Sequence, residues 1–310
     1  MNLEKKELLS DEEINLNEVA KVLWKEKYKI FIFSFVFCIF GLLISFSISD
    51  IYKSEAILAS SDQSNLNNLL DRYSGIASLT GLNISGSGEI DKVEMGIEIM
   101  SSLDFFEKFS ASKDILFLVA AVKGWDSKND TFQIDQEVYD FKTKEWNSSG
   151  KFSINGKPSL QDVHSKFIDN LDIEKDLDSG FLKISYKHVS PKAAKDILEE
   201  LILQINELIR QKDISEAENS IKFLQEEMIK NKFIGVQSAM SNLIQSQMET
   251  IMVANASSEY LFKILSSPFV PERKDSPNRL LIVILTFLIG FFLSLIYFFY
   301  LKFLRESLND

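Results

Sequence analysis

Two uninterrupted apolar stretches stand near the two ends of the chain, and residues 49–279 separate them. The stretches cover residues 30–48 and 280–301, and neither contains a charged residue. At about 1.5 Å per residue, a helix of either length can cross a hydrocarbon core of ~30 Å. The pattern therefore predicts two transmembrane helices that enclose one central domain.

Charged residues beside the spans predict their orientation. Lys21, Lys25, Lys27 and Lys29 stand close before the first span, whereas Asp50 is the first charged residue after it and Lys53 the first cation. Lys302 and Arg305 follow the second span. The positive-inside rule then places both termini in the cytoplasm. Cations at residues 273, 274 and 279 oppose this orientation, but the first helix usually decides it. A cleaved signal peptide is disfavoured, because the apolar run begins late and exceeds the usual length.

Periodicities in the central domain alternate between helix and strand. Residues 51–59 alternate as a strand, residues 171–173 and 181–188 indicate a β-hairpin, and residues 260–265 indicate a last strand. Helices are predicted after Asp91 (a capping box with Glu94), after Ser102, over residues 113–122 and after Ser159. The Ser/Gly-rich residues 60–90 indicate a loop. The mixture predicts an α+β or α/β domain rather than an all-α one, and we favour α+β.

A long helix is the clearest element of this domain. Ser190 and Pro191 suit the N-cap and N1 positions, and no Gly or Pro interrupts the chain from there to about Lys232. Its apolar stripe ends in a heptad seam, formed by Ile214, Ala217, Ile221, Leu224 and Met228. We expect Gly235 to end the helix and a second helix to follow. The seam requires a partner, either this return helix or, as we favour, a neighbouring subunit.

A proline-rich segment joins the last strand to the second span. Pro268, Pro271 and Pro277 stiffen it into an extended conformation, and the spacing of three puts Pro268 and Pro271 on one face of a polyproline turn. A rigid spacer is the simplest interpretation.

The chain is thus predicted to comprise a tail (1–29), a span (30–48), an α/β base (49–190), long and return helices (191–258), the last strand with the proline segment (259–279), a span (280–301) and a tail (302–310).

Composition and motif searches argue against most functions. With a net charge of −11 and no cluster of cations outside the membrane flanks, the chain is a poor nucleic-acid binder. Its one cysteine, Cys38, lies in the first span, so the domain has neither disulfides nor thiolate chemistry. His164 and His188 have no second ligand at metal spacing. No metal, cofactor or catalytic residue is predicted, although a pair of glycosidase carboxylates stays open.

The sequence argues against both a phosphate loop and a fused kinase domain. The stretch from Gly150 to Lys157 has one residue too many between its glycines, and Pro158 stands where Ser or Thr should bind magnesium. The nine residues after Leu301 are too few for a kinase domain. A two-span receptor with an extracytoplasmic sensor domain fits the layout, but the same short tail leaves no output domain.

Three stretches make the chain resemble the Wzz family of polysaccharide co-polymerases, the chain-length determinants of O-antigen and related surface glycans. The first is INLNEVAKVLWKEKYKIFIF with the following YKSEAIL strand. The second is SEYLFKILSSPFVPERKDSPNRLLIVIL, which resembles the family's proline-rich motif through Pro268, Pro271, Ser276 and Pro277, with Gly290 in the second span. The third and weakest is GIASLTGLNISGSG followed by SSLDFFEKF.

The resemblance implies an α+β periplasmic domain with a long projecting helix, anchored in the bacterial inner membrane by its two terminal spans. It implies a homo-oligomeric ring and no catalysis. Such a protein sets the modal length of a glycan that a separate Wzy-type polymerase makes, so membrane lipid, the polymerase and the growing glycan are the implied partners. We hypothesise that residues 268–277 and the second span contact the polymerase. A capsule or exopolysaccharide co-polymerase with a separate tyrosine kinase is the alternative within the family.

Overall fold

The computed structural model describes residue 24 and residues 27–61, 92–112, 114–147, 153–154, 157–176, 178–231 and 233–307. The chain divides into two compact units. The terminal unit combines residues 1–49 with residues 276–310, and the central unit is Asp50–Asp275. Residues 62–90 of the predicted loop, the capping residue Asp91 and most of the N-terminal tail lie outside the described residues.

Two apolar helices form the terminal unit, α1 (Lys27–Ser47) and α8 (Arg279–Ser307). Both are long and apolar enough to cross a membrane, with mean hydropathies of 2.6 for α1 and 2.8 for Arg279–Leu301 of α8. They pack against each other. Most of their large side chains are exposed in the protein alone, as helices with lipid around them require.

A four-stranded antiparallel sheet forms the base of the central unit. Its strands are β1 (Tyr52–Ser60), β8 (Leu171–Lys175), β9 (Leu182–His188) and β10 (Phe262–Ser266), in the order β10-β1-β9-β8. The hairpin predicted from residues 171–188 is confirmed as β8–β9. Strand β1 pairs on one side with β9 and on the other with β10.

Helices cover one face of the sheet: α2 (Lys92–Met100), α3 (Leu103–Ser110), α4 (Ile115–Ala121), α5 (Leu160–Asn170) and the first half of α6 (Pro191–Lys230). The predicted serine N-caps are confirmed, because Ser102, Ser159 and Ser190 each accept a backbone N–H three residues ahead. Stacked aromatic rings fill the core, with ring centroids of Phe106 and Phe167 5.0 Å apart and those of Phe167 and Tyr186 5.4 Å apart.

The 40-residue helix α6 extends for about 60 Å, and α7 (Ile234–Ala256) packs against it as a return helix. The prediction that Gly235 ends the long helix is wrong. Helix α6 ends at Lys230, and Asn231 follows in extended rather than left-handed conformation, so the turn needs no glycine there. Gly235 instead lies in the first turn of α7.

Between α4 and α5, the residues that the structure describes form three short hairpins. They pair β2 (Val122–Asp126) with β3 (Thr131–Ile134), β4 (Tyr139–Asp140) with β5 (Glu145–Trp146), and β6 (Ser153–Ile154) with β7 (Lys157–Pro158). Backbone hydrogen bonds extend the first two hairpins by one pair each, since Asp135 N–H donates to the carbonyl of Ala121 and Asn147 N–H donates to the carbonyl of Val138. The N–H groups of Val138 and Tyr139 both donate to the carbonyl of Asp135, which joins these two hairpins.

Candidate functional site

The candidate site is the end of the central unit, namely β10 and the proline segment that follows it to Asp275. Pro268 and Pro271 are both buried, whereas Phe269 and Val270 between them are 52% and 50% exposed. An extended chain with three residues per turn places residues 268 and 271 on the same side. The segment therefore presents its prolines to the protein and an apolar pair to the outside.

Hydrogen bonds from β1 fix the backbone of this segment. The buried hydroxyl of Ser54 donates to the carbonyl of Phe269 (2.8 Å), and Asp275 N–H donates to the carbonyl of Ile51 (2.8 Å). An ion pair joins Lys274 to Asp50, with 3.1 Å between Nζ and Oδ1. The segment is therefore built into the base over its length, which a free linker would not be.

A buried asparagine of the long helix holds the start of β10. The side-chain oxygen of Asn206 accepts hydrogen bonds from the backbone N–H groups of Leu261 and Phe262, both at 2.8 Å. Its amide nitrogen donates to the carbonyls of Ile202 (3.0 Å) and Phe262 (3.2 Å). Asn206 is only 3% exposed, so all four bonds are made away from water. Sequence reasoning missed this residue, whose only signal was a polar side chain inside an apolar stripe.

About two turns farther along α6, Asp213 holds Tyr260, two residues before this strand. Its carboxylate accepts a hydrogen bond from the hydroxyl of Tyr260 (2.7 Å) and pairs with Lys92 (2.7 Å). Burial, and then the hydrogen bond to Asp213, raise the pKa of the Tyr260 phenol well above its usual range. Tyr260 thus stays a neutral donor at physiological pH. The long helix and the candidate site are joined by charged and polar contacts at two levels.

The remaining predicted motif residues belong to the terminal unit. Ser276 and Pro277 are half-buried, and the peptide bond between them is cis. Gly290 is buried where α8 meets α1, and a Cβ added there would lie 2.6 Å from Cβ of Phe37. Gly41 of α1 makes an equally close approach to Thr286 of α8. Small residues at such positions let two helix backbones approach in lipid. Sequence reasoning named Gly290 and missed Gly41.

The predicted heptad seam of α6 begins directly after Asp213. Ala217 is buried, and Ile214, Ile221, Leu224 and Met228 are half-buried. Residues of α7 with the same three-and-four spacing are also buried or half-buried, namely Gln237, Met240, Ile244, Gln247, Ile251 and Ala254. The return helix therefore covers part of the seam within one chain. Packing of the seam between subunits stays a prediction.

Ion pairing, hydrogen bonding and burial account for the shifted titratable groups of the described residues. Hydrogen bonding to Lys53 lowers the pKa of Glu55, and burial lowers the pKa of His188. The ring of His188 lies between the carbonyl of Leu118 (3.0 Å from Nε2) and the N–H of Ser190 (3.1 Å from Nδ1). Among the described residues, no three His, Cys, Asp or Glu side chains form a group that could hold a metal ion.

Comparisons with known proteins agree with the sequence pattern. Residues 12–112 match the family model for Wzz, the chain length determinant protein. The predicted resemblance to this family is therefore confirmed. No curated protein sequence matches the chain.

The solved structures include similar proteins at low identity. A full-length bacterial polysaccharide co-polymerase is 13% identical, with 94% of this chain and 99% of that chain covered and a TM-score of 0.41. A fragment of the co-polymerase WzzB from Salmonella Typhimurium is 16% identical over 74% of this chain and all of that chain, with a TM-score of 0.29. A Wzz dodecamer fitted to a cryo-EM map is 14% identical, covering 73% of this chain and 100% of that one, with a TM-score of 0.24.

Proposed function

We propose that this Wzz-family membrane protein sets the modal chain length of a surface polysaccharide, of the lipopolysaccharide O-antigen type, without catalysing polymerisation. The match of residues 12–112 to the chain length determinant model carries this proposal. The two membrane-length helices of the terminal unit support an inner-membrane location. From the flanking lysines we further propose that both termini are cytoplasmic and that the central unit is periplasmic.

We assign the contact with a Wzy-type polymerase to Phe269 and Val270. Both are half-exposed apolar side chains on a segment whose backbone is fixed by Ser54 and by Asp275. A rigid exposed apolar pair loses little conformational entropy when it is covered by a partner. The buried Pro268 and Pro271 act by shaping this segment, while Ser276, Pro277 and Gly290 connect it to the second span and pack that span.

The protein acts as a homo-oligomer in this proposal, with the helical hairpin α6–α7 as the contact between subunits. Its end carries exposed apolar side chains, with Ile229, Phe233 and Ile234 at 82%, 76% and 84% exposure. Single exposed apolar residues are common, but three within six positions of a hairpin end favour a covered surface in the assembly. The seam residues from Ile214 to Met228 would then contact both α7 and the next subunit.

The test begins with a strain that lacks the gene, whose extracted surface polysaccharide is resolved by length on a gel. Loss of the preferred band, with short and random chains persisting, supports length regulation. Complete loss of polymer instead supports the capsule or exopolysaccharide co-polymerase with a separate tyrosine kinase. An unchanged pattern contradicts the proposal and leaves the two-span receptor as the better account.

Complementation then tests the contact residues. The double variant Phe269→Ser/Val270→Ser should shift or abolish the preferred band at wild-type protein level, because it changes only exposed side chains. Phe141→Ser is the matched control, since Phe141 is 65% exposed and far along the chain from this segment. Pro268→Ala/Pro271→Ala should lower the protein level as well. Wild-type banding by the double variant would refute the assignment of the polymerase contact.

A further inference from the structure

The hairpin β2–β3 presents two aromatic side chains outside the hydrophobic core. Trp125 and Phe132 are directly opposite in the register of the two strands, so their side chains share one face. Phe132 is 38% exposed, and Trp125 is half-buried. The ring of Tyr52 meets the indole edge-on, at 5.7 Å between centroids, which fixes the orientation of Trp125. Neither Trp125 nor Phe132 contributes to the core cluster of the central unit.

The turn of this hairpin is held against the indole by its own side chains. Asp126 accepts hydrogen bonds from the N–H of Lys128 (2.9 Å) and from the side-chain amide of Asn129 (2.7 Å). The indole N–H of Trp125 donates to Oδ1 of Asp130 (2.8 Å). The hydrogen bonds from Lys128 and Asn129 lower the pKa of the Asp126 carboxyl, so Asp126 is an ionised acceptor at neutral pH. A fixed turn of exposed amide, hydroxyl and carboxylate groups therefore borders the aromatic pair.

We propose that the hairpin β2–β3 is a binding site for a neutral glycan segment. An aromatic face can stack on the apolar C–H face of a sugar ring, while neighbouring polar side chains hydrogen-bond its hydroxyl groups. Trp125 and Phe132 supply the first element, and the exposed side chains of Ser127 and Asn129 in the turn supply the second. The inference rests on the proposed function, since the growing polysaccharide is the glycan present at such a protein.

The charges of the hairpin favour a neutral ligand over an anionic membrane. Two lysines, Lys123 and Lys128, are balanced by Asp126 and Asp130 within the hairpin. Lys123 is also paired with Asp135, at 2.7 Å. Surfaces that bind anionic lipid instead carry clustered, unbalanced lysine and arginine.

The neighbouring hairpin β4–β5 provides a matched control, because its aromatic residues pack on each other. Tyr139 lies between Phe117 and Trp146, with both centroid distances at 5.0 Å. All three rings are half-buried. This cluster joins the hairpin to α4, which accounts for its aromatic content without a ligand.

Tryptophan fluorescence can test the site in the full-length protein in detergent. The chain has three tryptophans, so Trp24→Phe/Trp146→Phe leaves Trp125 as the reporter, and Trp24→Phe/Trp125→Phe leaves Trp146. The probe is the surface polysaccharide of the producing cell, cleaved from its lipid. The fluorescence of Trp125 should change with polysaccharide concentration until it reaches a plateau, and the fluorescence of Trp146 should not change. Phe132→Ala should weaken binding about three- to tenfold, the loss of one aromatic stacking contact. Phe141→Ala in the neighbouring hairpin should bind like wild type.

Three results would overturn the site. The first is unchanged Trp125 fluorescence on adding polysaccharide, in a variant that still restores the polysaccharide length in cells. That result would contradict the site but not the proposed function. The second is equal binding by Phe132→Ala with an unchanged circular dichroism spectrum. The third is a Trp125 response only on transfer to nanodiscs that contain phosphatidylglycerol, which identifies membrane contact instead. Failure of the proposed function is read separately, from an unchanged length pattern in the deletion strain.

Discussion

Replacing Asn206 by alanine should lower the stability of the central unit more than any single surface change. The substitution removes four hydrogen bonds at once and leaves the N–H groups of Leu261 and Phe262 without their acceptor. Both groups lie beside fully or almost fully buried side chains, and the site is closed to water because Asn206 itself is 3% exposed. The strand that precedes the proline segment would lose its attachment to α6.

The size of the effect follows from the two orphaned donors. Each buried N–H without a partner costs about 1–3 kcal/mol, so two of them cost roughly 2–6 kcal/mol. In a unit of this size, 1 kcal/mol corresponds to about 2–4 °C in melting temperature. The variant should therefore melt roughly 5–20 °C below wild type. The loss of roughly 2–6 kcal/mol is a large part of the ~5–15 kcal/mol that typically separates folded from unfolded domains.

Asn255→Ala is the matched control for this measurement. Asn255 also lies in a helix and also donates its amide to the carbonyl four residues earlier (3.0 Å), but its side chain is exposed. Water replaces that bond when it is lost, so the control should stay within about 0.5 kcal/mol of wild type. Melting is followed by circular dichroism of the full-length proteins in the same detergent. If both alanine variants melt within 2 °C of each other (about 1 kcal/mol or less), the reasoning about buried donors is refuted.

Two further predictions concern the terminal unit and the joint before α6. Gly290→Ala should lower the melting temperature of the membrane-inserted protein, because the added Cβ would meet Cβ of Phe37. Gly235→Ala is the control and should not lower it, since a Cβ at that position meets nothing within 4 Å. Equal effects of the two substitutions would contradict close packing of α1 on α8. His188 has a folded-state pKa below its unfolded value of about 6.5, so the stability it contributes is present above that pH and is lost as the pH falls through the folded pKa. His188→Gln should flatten the melting temperature between pH 7 and pH 5, while a slope unchanged from that of His164→Gln would refute the role of His188.

Local signals predicted the elements whose causes lie within a few residues. The structure confirms three such signals: the serines at three helix starts, the apolar runs of the two spans, and the alternation of β8 and β9. Each of them can be recognised within one contiguous stretch of sequence. Boundaries differ slightly: α4 covers Ile115–Ala121 where residues 113–122 were expected, and β10 covers Phe262–Ser266 where residues 260–265 were expected.

Long-range contacts decided what the sequence could not show. The role of Asn206 depends on backbone groups 55 and 56 positions later, which no local pattern connects to it. The backbone of the proline segment depends on β1, because the carbonyl of Phe269 accepts a hydrogen bond from the Ser54 hydroxyl 215 positions away. Sequence spacing placed Pro268 and Pro271 on one face, but only the folded base determines that this face is the inner one.

The position of β1 between β9 and β10 has a consequence for how the protein is made. The first strand to leave the ribosome can pair only with strands that emerge much later, and its last partner begins at Phe262. Pairing over such separations is slow, because the chain loses the entropy of closing the loop before the new contacts stabilise it. The hairpin of α6 and α7, which needs only neighbouring residues, can form during translation. The sheet is therefore completed last, after almost all of the chain has been synthesised, and until then the edge of β1 that pairs with β10 remains open to chaperones or to the same strand of another nascent chain.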